Sequence, residues 1–144
     1  MVRSRVGKYC NKRNNVKERY NVGNSKLIMY VGALQFLRGL DIMLDVLKII
    51  QDKGYEAKFM FVGPLKYNKK FYGQLLLKIE KLELKGSVIF TDYIPFDLVS
   101  EYVSAADIMV IPHRDCLTYQ ISPPVKLLEY MACGKPIVST KVGV

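Results

Sequence analysis

The sequence predicts an α/β fold: a Rossmann-like parallel sheet with helices on both faces. Three observations lead there. Short apolar runs recur along the chain and end at glycine, threonine or proline. Between them lie segments whose apolar residues return every three or four positions. A chain of 144 residues with 50% hydrophobic content is large enough for one domain with a real core.

Residues 1–25 are polar and aperiodic and read as a linker or arm; the domain proper is expected over 26–144. Leu27-Ile28-Met29-Tyr30-Val31, closed by Gly32, has the texture of a buried parallel strand. Leu40, Met43, Leu44, Leu47 and Ile50 then share one helical face, with Gly54 placed as a stop. Lys58 to Val62, closed by Gly63, reads as the second strand, and Phe71, Leu75, Ile79 and Leu82 mark the next helix. Val88-Ile89-Phe90 is a short third strand before Thr91-Asp92-Tyr93. A helix from about Phe96 to Ala106 leads to a fourth strand, Ile108 to Ile111. A helix of some nine residues ends before Gly134, and Pro136 to Ser139 is the fifth strand. Ligands of such sheets bind beyond the carboxyl ends of the strands, so the loops of interest start at Gly32, Gly63, Thr91, Pro112 and Thr140.

Charge and cysteine content narrow the function classes. Residues 1–26 hold eight basic side chains against Glu18 alone, a net of +7, leaving +2 for the other 118 residues. Such a run is usually a solvated face, although it would also suit an anionic membrane surface. Aromatic interleaving is slight and no RNA-binding signature occurs, which disfavours nucleic acid. Cys10, Cys116 and Cys133 are odd in number, widely spaced and without a CxxC pair. They suit a reducing cytosol rather than a disulfide framework or a zinc site. His113 is the single histidine, no metal site is expected, and no apolar stretch approaches the length of a membrane span. The first fifteen residues lack the apolar core of a secretory leader.

The stretch Ser122-Pro123-Pro124-Val125-Lys126-Leu127-Leu128-Glu129 carries the most chemistry. Ser122 suits an N-cap and Pro123 a first helical position, so a helix would point its amino end out of the carboxyl edge, where anions are attracted. The two prolines remove two N–H donors and leave those of Val125 and Lys126. Lys126 in a first turn opposes the helix dipole, a penalty that a diphosphate would reverse. Lys126 and Glu129 lie on one face, with the carboxylate able to accept two hydrogen bonds from a ribose diol; the competing reading is an ordinary ion pair between them. Arg38, in the glycine-flanked loop from Gly32 to Gly39, is a second candidate for the diphosphate, against the reading of a solvent-facing arginine. His113, after the fourth strand, could orient a sugar hydroxyl or be an ordinary loop residue. GxGxxG does not occur, so a nicotinamide fingerprint is absent.

Taken in order, these motifs resemble the C-terminal domain of family 4 (group 1) glycosyltransferases of the GT-B fold. The resemblance rests on Tyr30-Val31-Gly32, Arg38-Gly39-Leu40-Asp41, Val62-Gly63, Val88 to Ile94, Tyr102 to Asp107, Pro112, and the run from Glu129 to Val138 that reads EYMACGKPIV. It spans about residues 26 to 144, in the branch with Ser-Pro-x-Lys before the glutamate, matched by Pro124-Val125-Lys126. It implies that the domain binds a nucleotide-diphosphate sugar as donor substrate, with no further cofactor. Glu129 would hold the ribose, Arg38 and Lys126 would face the diphosphate and supply the electrostatic stabilisation, and the backbone at Tyr93 and Ile94 would meet the base. Gly32, Gly63, His113, Ser122 and Val125 complete the expected pocket. The implied reaction is metal-independent sugar transfer with retention.

The sequence departs from the family pattern at Ala33, where a basic residue is frequent, at Ile121, where many members have a second glutamate, and at Pro123, where the branch commonly has serine. The acceptor-binding N-terminal domain is not in the sequence, and the chain stops after the fifth strand, so an incomplete GT-B half is expected, active only with a partner domain. The setting expected is cytoplasmic, peripheral to the inner face of the membrane through residues 1–25, in polysaccharide biosynthesis. A noncatalytic nucleotide-sugar-binding module or inactive fragment would use the same pocket, and an unrelated nucleic-acid-binding Rossmann-like protein is disfavoured by the ordered motifs.

Overall fold

The computed structural model describes residues 14–121 and 125–142. Strands β1 (Lys26–Val31), β2 (Ala57–Val62), β3 (Val88–Phe90), β4 (Ile108–Ile111) and β5 (Ile137–Ser139) form one sheet in the order β3-β2-β1-β4-β5, every pair parallel. Each stands where an apolar run placed it. The helices are α1 (Asn14–Arg19), α2 (Leu40–Asp52), α3 (Lys69–Lys81), α4 (Val99–Ala105), α5 (Leu117–Ile121) and α6 (Val125–Ala132), with single 3-10 turns leading into α2, α3 and α4.

Because strand side chains alternate, each of β1 to β4 feeds two cores. Ile28, Tyr30, Phe59, Phe61 and Val110 meet Leu40, Leu44 and Leu47 of α2 and Phe71, Leu75 and Ile79 of α3. Leu27, Met29, Val31, Met60, Val62, Met109 and Ile111 meet Val16, Tyr102, Val103 and Tyr130 from α1, α4 and α6. The helices therefore cover both faces, as the alternation of patterns predicts.

The order reverses between β1 and β4, which is the switch point of the sheet. There the ladder is short. β1 pairs with β2 over six residues but with β4 only at Ile28 and Met29. Val31 thus has no β4 partner. The Tyr130 hydroxyl takes that place, accepting from the Val31 N–H at 3.1 Å and lying 3.4 Å from its carbonyl. Tyr130 is 0% exposed and is the buried residue of α6, so this contact seats the helix on the end of β1.

Residues 14–25 differ from the polar arm read in the sequence. Residues 14–19 are the helix α1, and Val16 and Val22 are both buried. Lys17 bonds Asp107 at 2.8 Å, Tyr20 meets the Tyr102 hydroxyl at 3.1 Å, and Lys58 donates to the Asn21 carbonyl. Two valines six positions apart, set among charges, make no period that sequence reading detects, and their burial comes from α4. Residues 1–13 lie outside the described residues. So do 122–124, and with them the expected Ser122 cap and the proline pair. The helix that follows covers Val125 to Ala132 and stops at Gly134 in the left-handed conformation (φ 63°). Lys135, although part of the EYMACGKPIV run, is buried, and its Nζ donates to the carbonyls of Ser104 and Ala106 at the end of α4. That is a structural role.

Candidate functional site at the carboxyl edge

Three loops meet at the carboxyl ends of β1, β2 and β3. Gly32 ends β1 and Gly63 ends β2, and a Cβ on Gly63 would stand 2.1 Å from the Gly32 carbonyl, so the two turns touch backbone to backbone. Gly63 also bridges Asp92, beyond β3. Asp92 holds φ 61°, accepts from the Leu65 N–H at 3.0 Å, and is kept below the usual carboxylate range by that bond and one from Tyr93. Tyr93 itself is 70% exposed and Ile94 packs on the second core, which leaves Tyr93 open at the mouth of the loop.

The loop after β1 folds across to the loop after β4. Gly39 has φ 66°, and a Cβ there would lie 1.8 Å from the Pro112 carbonyl. The Arg114 N–H donates to the Leu37 carbonyl at 2.9 Å. This closeness brings Arg38 to His113, Nη1 to Nε2 at 3.5 Å. A guanidinium only donates, so Nε2 is the accepting, unprotonated nitrogen and the proton of the neutral ring belongs on Nδ1. His113 is 5% exposed; burial and then the Arg38 charge push its pKa down to about 4. Tyr119 of α5 stacks on the imidazole at 4.1 Å between centroids and lies under the guanidinium at 5.5 Å. Tyr30 flanks the group from β1, its phenol pushed up to about 12 by burial although Arg38 pulls the other way.

Arg38, Arg114 and Lys126 all lie at this edge, and they differ in one respect. Arg114 pairs with Asp41 at 2.6 Å and Lys126 pairs with Glu129 at 2.9 Å. Arg38 has no carboxylate among the described residues. Its companions are a neutral histidine and two phenols, and its Nε is buried without a hydrogen-bond partner.

Lys126 and Glu129 are about 30% exposed, so the face that sequence reading gave them is real, and each occupies the other. Val125 opens α6 and is exposed. Glu129 neighbours Tyr130 in sequence, and Tyr130 reaches Val31 beside Gly32, which ties α6 to the loops. No hydrogen bond joins the Arg38–His113 pair to the Lys126–Glu129 pair among the described residues. A cleft of about 330 Å³ lies at the opposite, amino edge of the sheet, bordered by Lys17, Asp107 and Lys135. Its ion pair and buried lysine serve the packing described above.

Comparison with known proteins identifies the family. The pattern of the glycosyl transferases group 1 matches residues 25–144. The chain belongs to this family. A D-inositol 3-phosphate glycosyltransferase of Corynebacterium jeikeium is 31% identical over 123 residues, 83% of this chain and 28% of that protein. An uncharacterized glycosyltransferase of Methanocaldococcus jannaschii is 28% identical over 127 residues, 86% of this chain and 31% of that protein. The group 1 chain therefore spans about three tenths of the length of these relatives. Among solved structures, Anabaena HepE in complex with UDP-glucose superposes with a TM-score of 0.79 at 22% identity, covering 92% of this chain and 34% of that one. The C-terminal domain of a group 1 protein, LpcC, from Francisella tularensis gives 0.75 at 18% identity, covering 92% and 67%. These two likenesses show the fold, a Rossmann-like parallel sheet that matches the halves of GT-B glycosyltransferases.

Within this group 1 domain, sequence reading missed Tyr119, Tyr130 and the Arg114–Asp41 pair. Asp41 carried a signal as the residue after Arg38-Gly39-Leu40, and Tyr130 lay in the EYMACGKPIV run with no role assigned to it. The others act across sequence gaps that no periodicity reports.

Proposed function

We propose that this chain is the donor-binding half of a glycosyltransferase, holding a nucleotide-diphosphate sugar against the carboxyl edge of its sheet. The observation that carries the reading is Arg38: a guanidinium at the switch point, flanked by a neutral histidine and lacking a carboxylate partner among the described residues. A diphosphate supplies the missing negative charge, and charge-assisted bonds from a guanidinium suit it. Gly32 and Gly63 let backbone approach the ligand, Tyr93 lies open for the base, and His113 offers its Nδ1–H side to a sugar hydroxyl. Lys126 and the N–H groups of Val125 and Lys126 add positive potential. Glu129 takes the ribose once its lysine turns to phosphate. HepE, which shares this fold, forms a complex with UDP-glucose, and that supports a nucleotide-sugar ligand here.

Transfer with retention to an acceptor takes place in the cleft formed with a GT-B N-terminal domain. Arg38 and Lys126 stabilise the charge that develops on the leaving diphosphate. A cytoplasmic setting at the inner face of a membrane, in polysaccharide assembly, belongs to the same reading and is supported by the basic N-terminal residues. No helix among the described residues is long and apolar enough to cross a membrane.

Calorimetric titration of the chain with UDP- and GDP-sugars tests the reading. One of them binds, and Arg38→Ala weakens it by about ten-fold or more, the worth of a charged hydrogen bond of about 1.5–3 kcal/mol. Lys126→Ala and Glu129→Ala each weaken it as well. Titration curves that all three substitutions leave unchanged overturn the assignment. Sugar transfer on adding a GT-B N-terminal half separates the enzyme from a noncatalytic binding module.

A further inference from the structure

We infer that Arg114 and Asp41 are positioning residues: together they hold the Arg38 loop in the geometry that receives a diphosphate. The inference rests on the donor-binding reading above and adds a device to it. Arg38 sits in a three-residue 3-10 turn, Phe36–Arg38, that contains no buried residue. Such a turn has little of its own to fix it, and arginine has many rotamers to lose. Besides the edge-on contact of Phe36 with Phe71 and those of Arg38 with His113 and Tyr119, four contacts hold the turn and its flanks, and three involve Arg114. Its N–H bonds the Leu37 carbonyl at 2.9 Å, its guanidinium covers the Phe36 ring at 4.2 Å, and its Nη2 bonds Asp41 Oδ2 at 2.6 Å. The fourth is the backbone contact of Gly39 with Pro112. Arg114 therefore grips the residue before the turn's last position, the residue two before it, and the first turn of α2 that follows. Arg38 is the residue enclosed between these grips, and the same loop delivers His113 to it.

The pair is built for geometry more than for stability. Arg114 Nε and Asp41 Oδ1 are both buried without a hydrogen-bond partner among the described residues, so the ion pair is engaged at one point only. Removing polar atoms from water and leaving one on each side chain unpaired is a poor way to stabilise a fold. It does restrict the guanidinium to one place, between ring and carboxylate. It also neutralises Arg114, which leaves Arg38 as the cation at this spot with charge to offer. A lysine at 114 keeps the charge but loses the planar fork and the ring stacking.

The test separates diphosphate from monophosphate. The full chain is titrated with UDP, GDP and ADP, and the tightest binder is compared with its own monophosphate. Arg114→Lys and, independently, Asp41→Asn are expected to weaken the diphosphate five- to twenty-fold while changing the monophosphate less than two-fold. In the Arg38→Ala background, Arg114→Lys is expected to cause no further loss, because the two act through one contact. Losses equal for diphosphate and monophosphate, losses that multiply fully with Arg38→Ala, or diphosphate binding as tight as in the unsubstituted chain each overturn the inference. If Arg38→Ala alone leaves diphosphate binding intact, this inference falls; if Lys126→Ala and Glu129→Ala do so as well, the donor-binding reading falls with it.

Discussion

His113 shows how one residue's surroundings set its chemistry. An ordinary histidine is part-protonated near neutral pH; here burial and the Arg38 charge lower the pKa to about 4, so the ring remains an acceptor. The folded state then binds fewer protons than the unfolded chain between about pH 4 and the ordinary value of 6.5. Stability tied to this group is complete above about pH 6.5 and declines as pH falls toward 4, with a slope of up to about 1.4 kcal/mol per pH unit. Thermal melting followed from pH 4 to 7 should show that decline, and His113→Gln should flatten it. Sequence position alone singled out His113 and Arg38 as separate candidates in two loops. It did not reveal that they are partners. The contact joins residues 75 positions apart and is made by loop conformation, which leaves no trace in local patterning.

At the scale of elements, the loop from Gly32 to Gly39 depends on where a side chain is forbidden. Gly39 and Gly54 both follow the left-handed geometry that glycine favours, with φ 66° and 85°. A Cβ at Gly54 meets open space, whereas at Gly39 it would collide with the Pro112 backbone at 1.8 Å. Gly54→Ala should cost about 1–2 kcal/mol from conformation alone. Gly39→Ala should cost that plus about 1–3 kcal/mol of overpacking, and should pull Arg38 away from His113. Urea denaturation midpoints distinguish the two. The strands were legible as apolar runs closed by glycine, threonine or proline, even at three or four residues, and the long helices because three- to four-residue repeats carry their own signal over up to thirteen residues. The helices α1 and α5 were not, since six and five residues hold less than two turns and their character comes from what they pack against. The Lys126–Glu129 spacing was legible as a shared face; that the two bond to each other could be stated only as one of two readings.

Across the whole molecule, the sheet opens between β1 and β4, and the candidate residues are arranged around that opening. The ordered motifs predicted the parallel sheet and the edge where the candidate residues gather. They did not predict how the opening is closed, because the closing group is a side chain 99 residues from its backbone partner. Tyr130→Phe keeps the ring and removes the hydroxyl, so the Val31 N–H stays buried with no acceptor. The expected cost is about 1–3 kcal/mol in a denaturant titration. The substitution should also weaken nucleotide-sugar binding, since α6 carries both Lys126 and Glu129.

This contact also has a use as a reporter. Most amides of a central strand exchange with deuterated solvent only when the sheet itself comes apart, but the Val31 amide is shielded by a phenol. Its deuterium uptake therefore registers the lifting of a single helix while the surrounding strands remain protected, and a ligand that clamps that helix should slow this amide ahead of its neighbours.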